Sequence, residues 1–153
     1  MSAGIVVLIA RYLLVILFFP FSALDKILNF KDAVAQAEEI FAPALATVMI
    51  LAGLAIEIVM PIAILTGTAD RAAAFVMAGY CAITALLFKR FWQPGDFWRA
   101  GDSKGRGLFW DFLKNLSLAG GFLLITVGLT EASAPNFATD PFGSTHPYTQ
   151  VRP

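Results

Sequence analysis

The sequence predicts an all-α, polytopic membrane protein: a four-transmembrane-helix bundle with an amphipathic helix between spans 1 and 2. Three observations predict it. Hydrophobic residues fill 58% of the 153 positions and charged residues only 14%, whereas a soluble domain carries roughly a quarter charged residues. Mean hydropathy is +0.73. Four separate runs, at about 4–24, 44–66, 72–91 and 109–129, are long and apolar enough to cross a bilayer, which takes about 20 mostly apolar residues. Four such helices leave too few polar residues to cover them as the core of a soluble fold.

The first span carries Arg11 and Pro20, with neither Lys nor Arg ahead of its apolar run. No small-residue cleavage pattern follows it, so it is expected to be a retained span and not a signal peptide. The second carries Glu57 and Pro61, the fourth Asp111 and Lys114, and the third is charged only at its Lys89-Arg90 end. Between spans 1 and 2, Phe30, Val34, Ala37 and Phe41 recur at helical spacing, while Lys31, Glu38 and Glu39 fall elsewhere. That pattern predicts an amphipathic helix at the interface or over the end of the bundle. Spans 2 and 3 are joined by a tight turn, with Gly67 expected as a helix C-terminal cap and Thr68 or Asp70 as an N-cap. Pro94, Gly95 and three further glycines mark the connection from Gln93 to Leu108 as loop. A transmembrane domain over 1–130 is thus expected, followed by a polar, Pro-rich tail over 131–153, extended and ordered only against a partner.

Lys and Arg set the expected orientation. The first and third connections hold Lys26, Lys31, Lys89, Arg90, Arg99, Lys104 and Arg106, and the opposite side only Arg71 and Arg152. Trp92, Trp98 and Trp110 gather on the basic side as half of an aromatic belt. That side is expected to be cytoplasmic, with both termini periplasmic in a bacterial inner membrane. Lys plus Arg equals Asp plus Glu, 11 each, so there is no basic field for nucleic acid.

A charge at the bilayer centre costs several kcal/mol on insertion scales unless it finds a partner or water, so intramembrane charges point to function. Arg11 lies ~10 Å in from the outer end of span 1, and Glu57 ~14 Å in from the same side on span 2, at about 1.5 Å per residue. These depths predict a polar pair, Arg11 with Glu57. Pro61 has no N–H to give the Glu57 carbonyl, which adds a loose carbonyl and an expected kink there. A second polar cluster is expected at the inner end, from Asp25, Lys26, Asp111, Lys114 and Asn115. These lie shallow enough to snorkel to the headgroups. Thr47, Tyr80, Thr84 and Ser117 lie between the clusters, to bridge them or to bond their own backbones.

The Arg11–Glu57 pair reads equally as a structural ion pair that holds helix register and as a functional site. In the second case Glu57 is a proton-relay carboxylate or part of a site for a polar headgroup such as a quinone. No metal site is expected. Cys81 is the one cysteine and reads as a packed core thiol, and His146, the one histidine, as a solvated tail residue. The chain offers no ligands for haem or an iron–sulfur cluster and no Gly-rich phosphate loop. No cofactor is expected on this chain alone, apart from a possible quinone.

The chain resembles the DoxX family of small bacterial membrane proteins over most of residues 11–129. The resemblance rests on Arg11 followed by Asp25-Lys26, on Gly53-Leu54-Ala55-Ile56-Glu57, and on Leu65-Thr66-Gly67 closing the second span. It continues through Arg71-Ala72-Ala73-Ala74, Phe88-Lys89-Arg90-Phe91-Trp92 and the run from Phe109 to Gly121. Ser22 stands where family members carry a glycine before the Lys26 position, and the tail lies outside the pattern. The resemblance implies a four-helix membrane bundle associated with respiratory or thiosulfate:quinone oxidoreductase chemistry. It marks Arg11, Lys26, Glu57 and Asn115 as recurring polar positions. The expectation is an accessory subunit of a quinone-linked membrane complex, with the lipid bilayer and other membrane subunits or further copies of itself as partners. The alternatives are a small proton-coupled carrier and a structural scaffold docking on a larger complex. Whether the chain catalyses anything is left open by its residues.

Overall fold

The computed structural model describes residues 3–128 and 134–148. They form α1 (Ala3–Ile16), α2 (Phe19–Leu28), α3 (Phe30–Glu38), α4 (Pro43–Thr66), α5 (Asp70–Phe88), α6 (Lys104–Val127) and α7 (Ala134–Thr139). Among the described residues every regular element is a helix. Four spans are long and apolar enough to cross a membrane: Gly4–Leu28, Pro43–Thr66, Asp70–Phe88 and Lys104–Val127. The protein is a multi-pass, all-α membrane protein.

The first span is two helices. It breaks at Leu17 and Phe18, and Pro20 sits in the first turn of α2, where a missing N–H costs nothing. By contrast α4 runs through the buried Pro61 without ending. The amphipathic segment forms α3: Ala37 is buried and Phe30, Val34 and Phe41 half-buried, while Lys31, Glu38 and Glu39 are exposed. Gly67 caps α4 in the left-handed conformation, φ 75°, with its N–H on the Ala63 carbonyl. The N-cap of α5 is Ala69 and not Thr68 or Asp70. The Asp70 carboxylate turns into the bundle instead, where it has stronger partners than its own helix end.

The core sits where α5 packs against α6 and α4. Ala73, Ala74, Ala78, Ala85 and Ala119 are buried there, and such small side chains let helices approach. Val15, Phe19, Ile64, Met77, Cys81 and Phe122 fill the space between, with the Phe19 and Phe122 rings 5.6 Å apart. Cys81 is a core thiol, as expected. The outward faces are apolar, from Ile5 and Leu13 on α1 to Leu124 on α6, as contact with lipid tails requires.

Two ends differ in chemistry. At one, the basic end, Trp98 and Trp110 stand exposed. There Phe91 packs edge-on against Trp92, Phe109 and Phe112. The loop before α6 is tied by Asp96, which accepts from the N–H of Lys104 and of Gly105, both at 2.8 Å, and by Arg106 donating to the Phe97 carbonyl at 3.0 Å. Gly105 admits this cap, since a Cβ there would lie 2.8 Å from Asp96 Oδ1.

At the other, the tail end, residues 134–148 of the segment expected to be extended fold back on the bundle, and the rest of that segment lies outside the described residues. Residues 134–139 form α7, and the Phe137 ring lies 5.3 Å from that of Phe75. Pro147 covers Gly67 and the Tyr148 hydroxyl donates to the Leu65 carbonyl. The described part of the tail rests on the bundle itself, where the Asp70 carboxylate and the Leu65 carbonyl accept its hydrogen bonds.

Candidate functional site

Arg11 and Glu57 do not meet. The Arg11 guanidinium donates to Asp70 Oδ2 at 2.6 Å, to the Ile64 carbonyl at 2.7 Å and to Thr145 Oγ1 at 2.8 Å. Glu57 accepts from Lys26 Nζ at 2.8 and 2.9 Å, from Ser22 Oγ at 2.9 Å and from Tyr80 Oη at 2.8 Å. Helix rise is the reason. From Glu57 to Ile64 the chain climbs about 10 Å along α4, and Arg11 extends toward the Ile64 end. The break after Ile16 then lets α2 bring Ser22 and Lys26, an i, i+4 pair on one face, up to Glu57.

The second expected cluster is likewise divided. Lys26 belongs to Glu57, and Asp25 accepts from Asn29 Nδ2 at 2.8 Å. Asp111, Lys114 and Asn115 do come together. Lys114 pairs with Asp111 at 2.9 Å, Lys89 joins at 3.3 Å, and Asn115 Nδ2 donates to the Asp111 carbonyl at 2.9 Å. Of the intervening polar residues Tyr80 bridges to Glu57, while Thr84 and Thr47 bond carbonyls of their own helices.

The tail-end cluster is closed. Asp70 is wholly buried, and beyond Arg11 it accepts from the backbone N–H of Thr145 at 2.9 Å and from the Thr145 hydroxyl. Guanidinium and carboxylate thus satisfy each other with a strap of tail laid over them. A buried pair with further hydrogen bonds is what offsets the cost of removing both charges from water.

The Glu57 cluster lies on a cleft of about 740 Å³ between α2, α3, α4, α5 and α6, within the range of ligand sites, roughly 300–1,000 Å³. Phe18, Met49, Ile50, Ile83 and Phe88 give it apolar walls, and Asp25, Asp32, Gln36, Glu39 and Lys89 line it toward the basic end. Glu57 itself is 2% exposed. Gly53 shapes this site: a Cβ there would stand 3.2 Å from Tyr80 Oη, so the glycine lets Tyr80 lie across α4 to reach Glu57. The arrangement offers a polar end inside an apolar, membrane-embedded slot, suited to a polar headgroup on an apolar body.

Sequence reasoning missed Asp70, read only as a cap, and Thr145, placed in an unattached tail. It read Ser22 only as a departure from a family glycine, yet Ser22 connects Lys26 to Glu57. The i, i+4 spacing of Ser22 and Lys26 was the available signal. For Asp70 it was the need of a buried Arg11 for an acid at the same end of the bundle.

The sequence profile of the DoxX family matches residues 6–90, more than half of the chain. Comparisons with curated proteins and with solved structures gave no match. Arg11, Ser22, Lys26, Glu57, Asp70 and Tyr80 all fall inside the matched stretch, while Asn115 and Thr145 fall outside it. On this match, with four membrane-spanning helices, the chain belongs to the DoxX family.

Proposed function

We propose that this protein is an accessory subunit of a quinone-linked redox complex in the bacterial inner membrane, and that its Glu57 cleft receives the ligand's polar ring. The observation that carries the reading is the cleft: apolar walls leading to Lys26, Ser22, Glu57 and Tyr80 at membrane depth. Its size and mixed lining suit an aromatic headgroup with an apolar chain. With one cysteine and one histidine, the chain has no ligand set for an iron–sulfur cluster or a bis-histidine haem. Electrons would therefore reach such a ligand from a partner subunit. The basic end faces the cytoplasm in this reading, because it holds Lys89, Arg90, Arg99, Lys104 and Arg106.

Titration of the purified protein in nanodiscs with a short-chain quinone tests the site through Trp fluorescence. Saturable binding of the quinone or of its hydroquinone, altered by Glu57→Gln, is expected; binding of neither by the unaltered protein overturns the reading. A proton-coupled carrier is the second reading, supported by Glu57 standing where cleft and buried core meet. Proton flux abolished by Glu57→Gln, with no quinone binding, would favour it.

A further inference from the structure

The donors at the polar end of the cleft are already spent. An ammonium has three protons, and Lys26 directs its own at Ser22 Oγ, 2.7 Å away, and at the two Glu57 oxygens. Ser22 and Tyr80 each give their single hydroxyl proton to Glu57 Oε1. Thr84 gives its proton to carbonyls of its own helix. What remains is acceptor. Asn115 lines the cleft at 7% exposure, with its Nδ2 on the Asp111 carbonyl and its Oδ1 without a hydrogen bond among the described residues. Among the described residues Glu57 Oε2 accepts from Lys26 alone.

Charge points the same way. The cations lining the cleft, Lys26 and Lys89, are both in ion pairs. The carboxylates of Asp25, Asp32 and Glu39 line it and have no ion-pair partner among the described residues. Four carboxylates, Asp25, Asp32, Glu39 and Glu57, stand against two cations in the lining. The cleft wall is therefore negative although Arg90 and Lys104 lie beyond Glu39, and a negative wall disfavours anions. The other side-chain donors, on Asn29, Gln36 and Lys89, stand nearer the mouth.

We infer that the cleft selects a headgroup that donates hydrogen bonds and carries no negative charge, so that it takes the hydroquinone in preference to the quinone and turns away oxyanions. This rests on the reading of the cleft as a headgroup site. A hydroquinone hydroxyl has one proton to give, and either Asn115 Oδ1 or Glu57 Oε2 can accept it. A quinone carbonyl finds no free proton there unless it breaks a bond of the cluster, and an oxyanion meets the same shortage against the field of the mouth.

Calorimetric titration of the intact protein in nanodiscs tests this. The ligands are a short-chain hydroquinone kept reduced under anaerobic conditions, its quinone, and an aromatic carboxylate of similar size. The hydroquinone is expected to bind at least about tenfold tighter than the quinone, which places the midpoint of the bound couple ~30 mV above that of the free one. The carboxylate is expected not to bind. Asn115→Leu removes one of the two acceptors and should narrow the gap by weakening the hydroquinone alone. Should that variant fold poorly, Asp25→Asn/Asp32→Asn/Glu39→Gln, which alters only the mouth, should raise affinity for the carboxylate and leave the hydroquinone unchanged. Equal binding of the two rings, or tighter binding of the quinone, overturns the inference while the headgroup site stands. If neither ring binds, the site reading falls and takes this inference with it.

Discussion

Lys26 and Glu57 form a two-point contact inside the bundle, with the Lys26 ammonium 2.8 and 2.9 Å from the two carboxylate oxygens. Glu57 is 2% exposed and Lys26 remains partly open to the cleft. The pair therefore joins the protein's packed interior to the cleft. Removing a single partner leaves an uncompensated charge, a change that costs about 3–5 kcal/mol in buried pairs. Lys26→Met and Glu57→Gln are each expected to lower thermal stability in detergent by that order. The double variant is expected to lose less than the sum, with a coupling of about 0.5–3 kcal/mol in a double-mutant cycle. Strict additivity would mean that the two side chains do not interact.

The same logic separates the two ends. Arg11→Ala is expected to lower abundance because it strands the buried Asp70 carboxylate. Asp70→Ala in the same chain should restore part of the loss, and Glu57→Ala should restore none. Immunoblots of membranes report the ranking. Rescue by Glu57→Ala would contradict the pairing.

Thr145 closes the tail-end cluster by its N–H and its hydroxyl, both on Asp70. Thr145→Val keeps the shape and removes the hydroxyl, leaving a buried carboxylate one hydrogen bond short. That is expected to cost about 1–3 kcal/mol and to loosen the tail. Limited proteolysis should cut the 140–148 segment faster in the variant than in the unaltered protein, and equal rates would count against the strap.

Gly53→Ala would place a methyl 3.2 Å from Tyr80 Oη. Displacing the phenol should remove its hydrogen bond to Glu57 and cost about 1–3 kcal/mol as overpacking. Combined with Tyr80→Phe, which deletes the same hydroxyl, the loss should be sub-additive in thermal melts.

At the basic end the Gly105 N–H, helped by that of Lys104, holds the Asp96 carboxyl below its ordinary value of 3.8. A depressed carboxyl stabilises the fold above the unfolded value, and that contribution is lost as pH falls through the folded one. The start of α6 should therefore stay capped from neutral pH down to about 3.8 and loosen only below it. Hydrogen exchange at Lys104 and Gly105 reads this directly, and Asp96→Asn should make their protection insensitive to pH in that window.

What the sequence determined by itself was the medium and the frame. Apolar runs of spanning length give four membrane helices whatever their partners, since a backbone in lipid must satisfy its own hydrogen bonds. The periodicity of Phe30, Val34, Ala37 and Phe41 likewise gave α3, and Gly67 its cap, because both are local. Which charge meets which was decided only by the tertiary structure. Counting residues places Arg11 and Glu57 at similar depths, but long side chains reach toward opposite ends, and the break at Leu17 and Phe18 re-aims the second half of the first span. Arg11 thereby finds an acid at the start of α5 and an acceptor in the tail, and Glu57 is left to Lys26, Ser22 and Tyr80. Such pairings span sequence separations as long as 134 residues, from Arg11 to Thr145, and no local pattern in either segment records the other.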